Sequence, residues 1–415
     1  MEIKIDNGIR IMSLDLIATV TLAVLVLLFG YYVKNKVKIF DRFCIPAPVI
    51  GGFTFAIIAV ILKSNGILEF SMDTTMQTPL MIAFFTIVGF GGSFNLLKKG
   101  GIIIIVYWCL SVILSIVQNV IRVSVAKLTN IEPILGIMSG AVSMVGGHGG
   151  AAAFGESAEM MGYTGASTMA LAAATFGLIS GSLLGGPIAN FLIKKNNLQP
   201  IENSEYEESV KEFENIEKTS IDYDKTMKNL AILLVTMVLG MVVGRYITIG
   251  IGTLTNRDDI VLPSYVGAML IAVVFRNIND KFQLFDIDYQ IMDLFSDVSL
   301  GIFLSMALMT LKLWELADLA GPMFIILICQ LIFIVLYATI IVFNLCGKDY
   351  DAAVMVSGML GHGLGATPNA VANMSSVTKK YGPSAKAFLI VPLVGSFLVD
   401  IINIPSIVIF MNIFR

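Results

Sequence analysis

The feature that most limits what this chain can fold into is an apolar run, long enough to cross a membrane, that recurs from Leu16 almost to the C-terminus. A hydrocarbon core of about 30 Å takes roughly 20 helical residues to span. The stretches that answer this description are Leu16–Val33, Pro46–Leu62, Pro79–Leu97, Gly101–Val120 and Ala166–Ile193, then Leu230–Ile251, Leu262–Phe275, Asp293–Leu311, Met323–Leu345 and Ala387–Phe414. Apolar residues make up 56% of the chain and charged ones 14%, against roughly 45–50% and 25% in soluble domains. The core of a soluble fold would alternate with polar faces, and this one does not. The chain therefore reads as an all-α membrane protein.

Lys4 and Arg10 precede the first run, but the run is longer than the apolar region of a signal peptide and carries no small-residue cleavage site. It reads as a retained first span. The cysteines (Cys44, Cys109, Cys329, Cys346) are scattered singly, without CxxC or metal-ligand spacing, and read as packing residues. A net charge of −3 with no basic, aromatic-interleaved stretch gives no footprint for nucleic acid.

One composition shift divides the chain. From Lys194 to Lys228 it turns polar and acidic (IENSEYEESVKEFENIEK), so residues 196–228 read as a linker between 1–195 and 229–415. The flanking halves repeat each other. LMIAFFTIVGFGGSFNLLKKGG from Leu80 faces LGIFLSMALMTLKLWELADLAG from Leu300, and GGHGGAAAF around His148 faces GHGLGATP around His362. The separations, 220 and 214 residues, nearly agree, and the only two histidines of the chain each sit in a Gly-His-Gly. Five spans per half is an odd number, so the repeats are expected to be inverted. Between the fourth and fifth span of each half lies a Gly/Ala/Ser-rich segment, residues 133–156 and 352–378. These are too apolar for loops and too glycine-rich for simple spans, and read as re-entrant hairpins.

Orientation follows from the excess of Lys and Arg on cytoplasmic segments. With the linker inside, 18 of the 27 basic residues, among them Lys34, Lys36, Lys38 and Arg42, fall on the cytoplasmic side, and both termini lie outside.

Irregular backbone survives at membrane depth only where protein buries it or a water-filled cavity satisfies it. Two glycine-rich hairpins entering from opposite sides thus point to a cavity near the midplane, the usual place for a transporter site. The candidate substrate-binding residues are Ser143, Gly146, Gly147, His148, Gly149 and Gly150 in the first hairpin, and Gly361, His362, Gly363, Gly365, Thr367, Asn369 and Asn373 in the second. Glycines let backbone amides approach a ligand, and a half-helix starting at Thr367-Pro368 would aim its positive end at an anion. Two plainer readings stand beside this one: the glycines serve helix packing, and the histidines are neutral hydrogen-bond partners.

Ionisable groups inside spans are costly and functional by default. Asp400 with Asn403 one turn on offers a carboxylate plus neutral oxygens, a set suited to a hard cation such as Na⁺. Thr175, Gln118 and Asn119 are second-line candidates for that ion, and Asp293 and Asp297, beginning a span, read as structural. Arg122 and Arg245 sit at expected span edges, so no arginine is expected mid-span to clamp an anion.

These motifs resemble the bacterial sodium/glutamate symporter family from the first span to the last. The matching segments are IPAPVIGG at Ile45–Gly52, PLMIAFFTIVG at Pro79–Gly89, GGHG at Gly146–Gly149, ATFGLISGSLLGGP at Ala174–Pro187, IFLSMALMTLKLWEL at Ile302–Leu316 and HGLGATPNAVANM at His362–Met374. The resemblance implies ten spans in two inverted five-span halves, re-entrant loops between the fourth and fifth span of each, a cytoplasmic central loop and Na⁺-coupled uptake of L-glutamate across the inner membrane. No cofactor beyond the coupling ion is implied. Binding regions carry over to Ser143–Gly150 and Gly361–Asn373, with Asp400 and Asn403 in a matching last-span stretch. The first hairpin departs from the family, GGHGGAAAFGE standing where threonine and tryptophan are usual. Alternating access is expected to move the hairpin-bearing part against a static scaffold, within a homodimer. Two rivals remain: an H⁺-coupled carrier with His148, His362 and Asp400 as relay, or a carrier of another small carboxylate. An intramembrane hydrolase is disfavoured because an asymmetric catalytic pair would not need two equivalent histidine loops.

Overall fold

A computed structural model describes residues 2–6, 9–93, 101–200, 222–255, 262–313 and 319–415. The expected acidic linker falls largely outside these residues, as do Lys98, Lys99, Lys211 and Lys218. The helices used below are α1 (Leu16–Lys36), α2 (Ala47–Ser64), α3 (Gln77–Phe90), α4 (Gly101–Leu128), α5 (Pro133–Met138), α6 (Ala141–Met144), α7 (Gly147–Met160) and α8 (Ala166–Asn196). They continue with α9 (Tyr223–Thr255), α10 (Ser264–Phe282), α11 (Tyr289–Met309), α12 (Ala320–Leu345), α13 (Tyr350–Leu364), α14 (Thr367–Tyr381) and α15 (Ala385–Phe414).

Eight described helices are long and apolar enough to cross a membrane: α1, α2, α4, α8, α9, α11, α12 and α15. The chain is a multi-pass membrane protein. Two more expected stretches are helical but fall short of that standard. α3 has 14 residues, and α10, with 19, carries Arg276, Asp280 and Lys281 at its end. The bundle is helical throughout, with one addition that the sequence reading did not foresee. Strands β1 (Glu2–Asp6) and β2 (Ile9–Leu14) pair antiparallel, and β2 pairs parallel with β3 (Leu68–Met72).

Packing sorts the helices into two groups. In one, α1 lies on α2 and α11, α9 lies on α10 and α3, and α3 joins α10 to α11. In the other, α8 packs on α7, α13 and α14, while α4 packs on α5, α12 and α15. α1 and α9 have only 22% of their apolar windows buried, which puts them at the periphery against lipid. Leu25, Leu28 and Phe29 on α1, with Val235, Val238 and Leu239 on α9, are exposed accordingly. In water such surface would be an aggregation hazard. In a bilayer it is the solvated face.

Helix geometry breaks at several places within the second group. Ser139 and Gly140 separate α5 from α6, with Gly140 extended (φ −88°, ψ −161°). α12 and α15 each contain a π-helical turn, Tyr337–Val342 and Val394–Leu398. Pro405 inside α15 has no N–H, so the Ile401 carbonyl loses its helical donor just after Asp400. Breaks of this kind in a buried bundle mark functional sites more often than accidents.

Candidate functional site

The two glycine-rich segments each fold into a helical hairpin, α5–α6 against α7 and α13 against α14. Their glycines meet. Gly147 has φ +58°, a left-handed conformation that costs other residues roughly 1–2 kcal/mol, and a Cβ there would lie 2.9 Å from the carbonyl oxygen of Gly365. α14 begins at Thr367 with Pro368 in its first turn, the position where a missing N–H is harmless.

Next to this meeting point is a cavity of about 40 Å³. Gly146 and Gly150 from the first hairpin line it, with Asp400 and Asn403 from α15 and Phe84, Phe85 and Val88 from α3. Hairpin glycines and the Asp400–Asn403 pair thus line one cavity, at the seam between the two helix groups. Asp400 Oδ1 and both amide atoms of Asn403 have no hydrogen-bond partner among the described residues. The space suits a single water or a small ion and is far too small for an amino acid.

A larger cleft of about 340 Å³ opens along the same seam. Lys63, Glu69, Gln77 and Lys312 line it from one helix group, and Glu156, Glu159, Ser167 and Thr168 from the other. Its volume falls in the range of small-molecule sites, roughly 300–1,000 Å³. Lys63 pairs with Glu69 at 2.5 Å. Glu156 accepts from Gln77 Nε2 at 3.0 Å and from Thr78 Oγ1 at 3.5 Å, bridging α7 to the start of α3. The sequence reading named none of these residues, because nothing in their local pattern separates them from ordinary span-end polar groups.

The other predicted residues are spread rather than gathered. Thr175 donates to the Leu171 carbonyl (2.9 Å), so its oxygen is left to accept from His148 Nε2 at 3.0 Å. His362 Nε2 lies 3.0 Å from Tyr107 Oη, which also reaches the Met355 carbonyl at 3.4 Å. Both histidines are buried and bonded to neutral hydroxyls. Gln118 Nε2 donates to the Gly363 carbonyl, and Gln330 Nε2 to the Gln118 carbonyl, each at 3.1 Å. Ser143 Oγ donates to the Met138 carbonyl within its own hairpin. Of the second-line cation candidates, Thr175 is bonded to His148 and Leu171, whereas Gln118 Oε1 has no hydrogen-bond partner among the described residues.

Asn369 and Asn373 also turn away from the cavity. Their amide nitrogens donate to the Leu178 (2.8 Å) and Gly181 (3.0 Å) carbonyls of α8. That contact depends on a stripe of small residues. A Cβ on Gly177 would fall 2.1 Å from the Leu364 oxygen, and one on Gly181 would fall 2.8 Å from the Leu360 oxygen. The hairpin glycines are close-packed too, a Cβ on Gly361 falling 2.4 Å from Ala370 Cα and one on Gly365 2.9 Å from Leu178 Cα, so the packing reading of the glycines stands beside the binding one.

Of the two arginines expected at span edges, Arg122 lies six residues before the end of its helix. α4 runs eight residues beyond Val120, and Arg122 is wholly buried beside Asn119 and the Ser139-Gly140 break. The apolar count ended too early because the last turns of α4 face protein rather than lipid, where a polar face is tolerated. Arg245 is exposed.

Apolar helices around two touching, glycine-linked hairpins, with a carboxylate and an amide on a seam cavity, define a multi-pass membrane transport protein. The profile of the family described as Sodium/glutamate symporter matches residues 12–383. The sodium/glutamate symporter of Haemophilus influenzae is 38% identical over 386 residues, covering 93% of this chain and 94% of that protein. The sodium/glutamate symporters of Escherichia coli and Shigella flexneri are each 36% identical over 392 residues, 94% of this chain and 96% of theirs. The chain belongs to the sodium/glutamate symporter family.

Proposed function

We propose that the chain couples the inward Na⁺ gradient to uptake of L-glutamate by alternating access. The observation that carries this reading is the seam cavity, where Gly146 and Gly150 face Asp400 and Asn403. Na⁺ binds beside Asp400, with Asn403 and the donor-less Ile401 carbonyl as neutral oxygens. The substrate enters through the larger cleft and rests a carboxylate on hairpin amides. Neutralising Asp400 with the cation favours anion binding close by, and the reverse holds by linkage. Each net positive charge that enters gains about 2.3 kcal/mol per 100 mV of membrane potential.

In this reading the chain makes ten spans in two inverted five-span halves, residues 1–195 and 229–415, joined by a cytoplasmic linker at 196–228. Residues 133–156 and 352–378 are re-entrant, both termini face outward, and the protein works as a homodimer in the bacterial inner membrane. The group holding α1–α3 and α9–α11 serves as scaffold. The hairpin-bearing group moves against it, opening and closing the cleft they share.

The H⁺-coupled rival draws less support. His148 and His362 bond to Thr175 and Tyr107, and no hydrogen bond among the described residues links either to Asp400. The test is Asp400→Asn in Na⁺-titrated uptake. Loss or strong weakening of Na⁺ dependence is expected. A variant that keeps its Na⁺ dependence and loses only its pH dependence would reverse the assignment.

A further inference from the structure

Arg122 is the largest of the fully buried side chains, and its Nε, Nη1 and Nη2 all lack a hydrogen-bond partner among the described residues. A guanidinium stays charged at any pH a protein meets. Leaving such a charge buried and uncompensated is strongly unfavourable, far more so than leaving it paired. Arg122 is not alone in this. Asn119, one turn earlier on α4, has both amide atoms unpartnered, and so has the Ser139 hydroxyl. Arg122 and Asn119 converge on one point of the first hairpin, at Gly140, which follows Ser139 in the chain. A Cβ on Gly140 would fall 2.1 Å from Arg122 Nη1 and 3.0 Å from Asn119 Oδ1.

Asp400 does not compensate this charge. Trp108 Nε1 donates to the Leu398 carbonyl, and Lys127 lies over the Phe414 ring, so α4 and α15 run side by side in the same direction. On that register Arg122 sits about three turns beyond Asp400, roughly 15 Å at 1.5 Å per residue. The cation wall and the arginine are separate places.

We propose that Arg122, with Asn119 and Ser139, is an anion subsite that clamps one carboxylate of the transported substrate. This rests on the symport reading above and adds to it the group that recognises negative charge. The planar fork of a guanidinium matches a carboxylate through two parallel N–H···O bonds. Asn119 would donate through Nδ2 once its amide, whose Oδ1 now faces this point, turns over, and the unpartnered Ser139 hydroxyl stands next to Gly140 in the chain. The space the carboxylate takes is the one Gly140 now fills. Gly140 lies at the break between α5 and α6, where the hairpin can swing without unwinding a helix. Hairpin displacement and carboxylate entry are then one event, and the arginine loses its compensation whenever the site empties.

The test compares purified full-length wild type with Arg122→Lys, Arg122→Gln and Asn119→Ala, in L-glutamate uptake by proteoliposomes and in thermal unfolding with L-glutamate or Na⁺. Arg122→Lys is expected to raise the KM for L-glutamate tenfold or more while leaving half-saturation by Na⁺, measured at saturating L-glutamate, unchanged. Arg122→Gln is expected to lose the L-glutamate thermal shift and keep the Na⁺ shift, and Asn119→Ala to raise KM about threefold to tenfold. An Arg122→Gln variant with KM within twofold of wild type overturns the proposal. So does joint loss of the Na⁺ and L-glutamate responses in Arg122→Lys, which marks a strut, or stabilisation by chloride with unchanged KM, which marks an inorganic counter-ion. If neither arginine variant folds, wild type is challenged with L-glutamine and L-isoglutamine, each lacking one carboxylate. One of them should compete at least a hundredfold more weakly than L-glutamate, and equal competition by both overturns the proposal. A wild type that takes up no L-glutamate defeats the symport reading itself and is told apart by that control.

Discussion

Gly147 and Gly365, from two hairpins more than two hundred residues apart in sequence, approach so closely that a Cβ on the first would lie 2.9 Å from the carbonyl oxygen of the second. Gly147 also holds a φ of +58°. Any side chain there meets backbone on one side and a left-handed conformation on the other, so the contact is reserved for glycine.

Gly147→Ala is therefore expected to cut the maximal rate of L-glutamate uptake tenfold or more, since the hairpins must part by several tenths of an ångström. Gly66→Ala is the control, with a similar φ of +68° and nothing within 4 Å. It carries only the conformational cost of roughly 1–2 kcal/mol and should transport at near wild-type rate. Equal effects of the two substitutions would show that strain, and not the hairpin contact, governs the loss.

A second expectation concerns the α8 stripe. Gly177→Ala places a methyl 2.1 Å from the Leu364 carbonyl oxygen, a backbone atom that cannot rotate away. Overpacking of this kind costs about 1–3 kcal/mol, and it should lower the midpoint of thermal unfolding in detergent. Gly186→Ala, whose Cβ would meet only Ser376 Oγ at 3.9 Å, should not.

What the sequence disclosed and what it withheld divide along physical lines. Long apolar runs are dictated by lipid, so α1, α2, α4, α8, α9, α11, α12 and α15 were legible as spans. Glycine-rich helical segments were legible because an apolar segment dense in glycine makes a poor simple span. The cavity pairing of Gly146 and Gly150 with Asp400 and Asn403 was only half legible: each member stood out, but the partnership is tertiary. The burial of Arg122 was not legible because a hydropathy count sees lipid on every side, whereas the end of α4 faces α5 and α15. Gln330 was overlooked although the repeat register carried the signal, since it lies 212 residues after Gln118. The strands near the N-terminus were hard to read because EIKID and IRIMSL are short, and the sheet is completed only by a distant segment, Leu68–Met72.

Gln118 gives a third prediction. Its side chain satisfies the buried Gly363 carbonyl, and Gln118→Ala leaves that oxygen without its donor. Such a loss costs about 1–3 kcal/mol. Thermal stability should fall accordingly, and Gln118→Glu, which removes the donor but keeps the shape, should fall at least as far.

The histidines supply a fourth. His148 donates to Thr175 as a neutral group in this arrangement. His148→Gln can keep a side-chain N–H in place, so the pH profile of Na⁺-driven uptake should keep its shape even if the rate declines. Disappearance of one limb of that profile would restore the histidine to a proton-carrying role.

The central claim is coupling of Na⁺ to L-glutamate, and its most direct test is accumulation of labelled L-glutamate in proteoliposomes of the purified protein. An inward Na⁺ gradient is compared with a matched K⁺ gradient. Concentrative uptake with Na⁺ alone, collapsing when an ionophore dissipates the gradient, is the predicted result. Equal uptake under both gradients, or uptake driven only by a pH difference, would contradict the account.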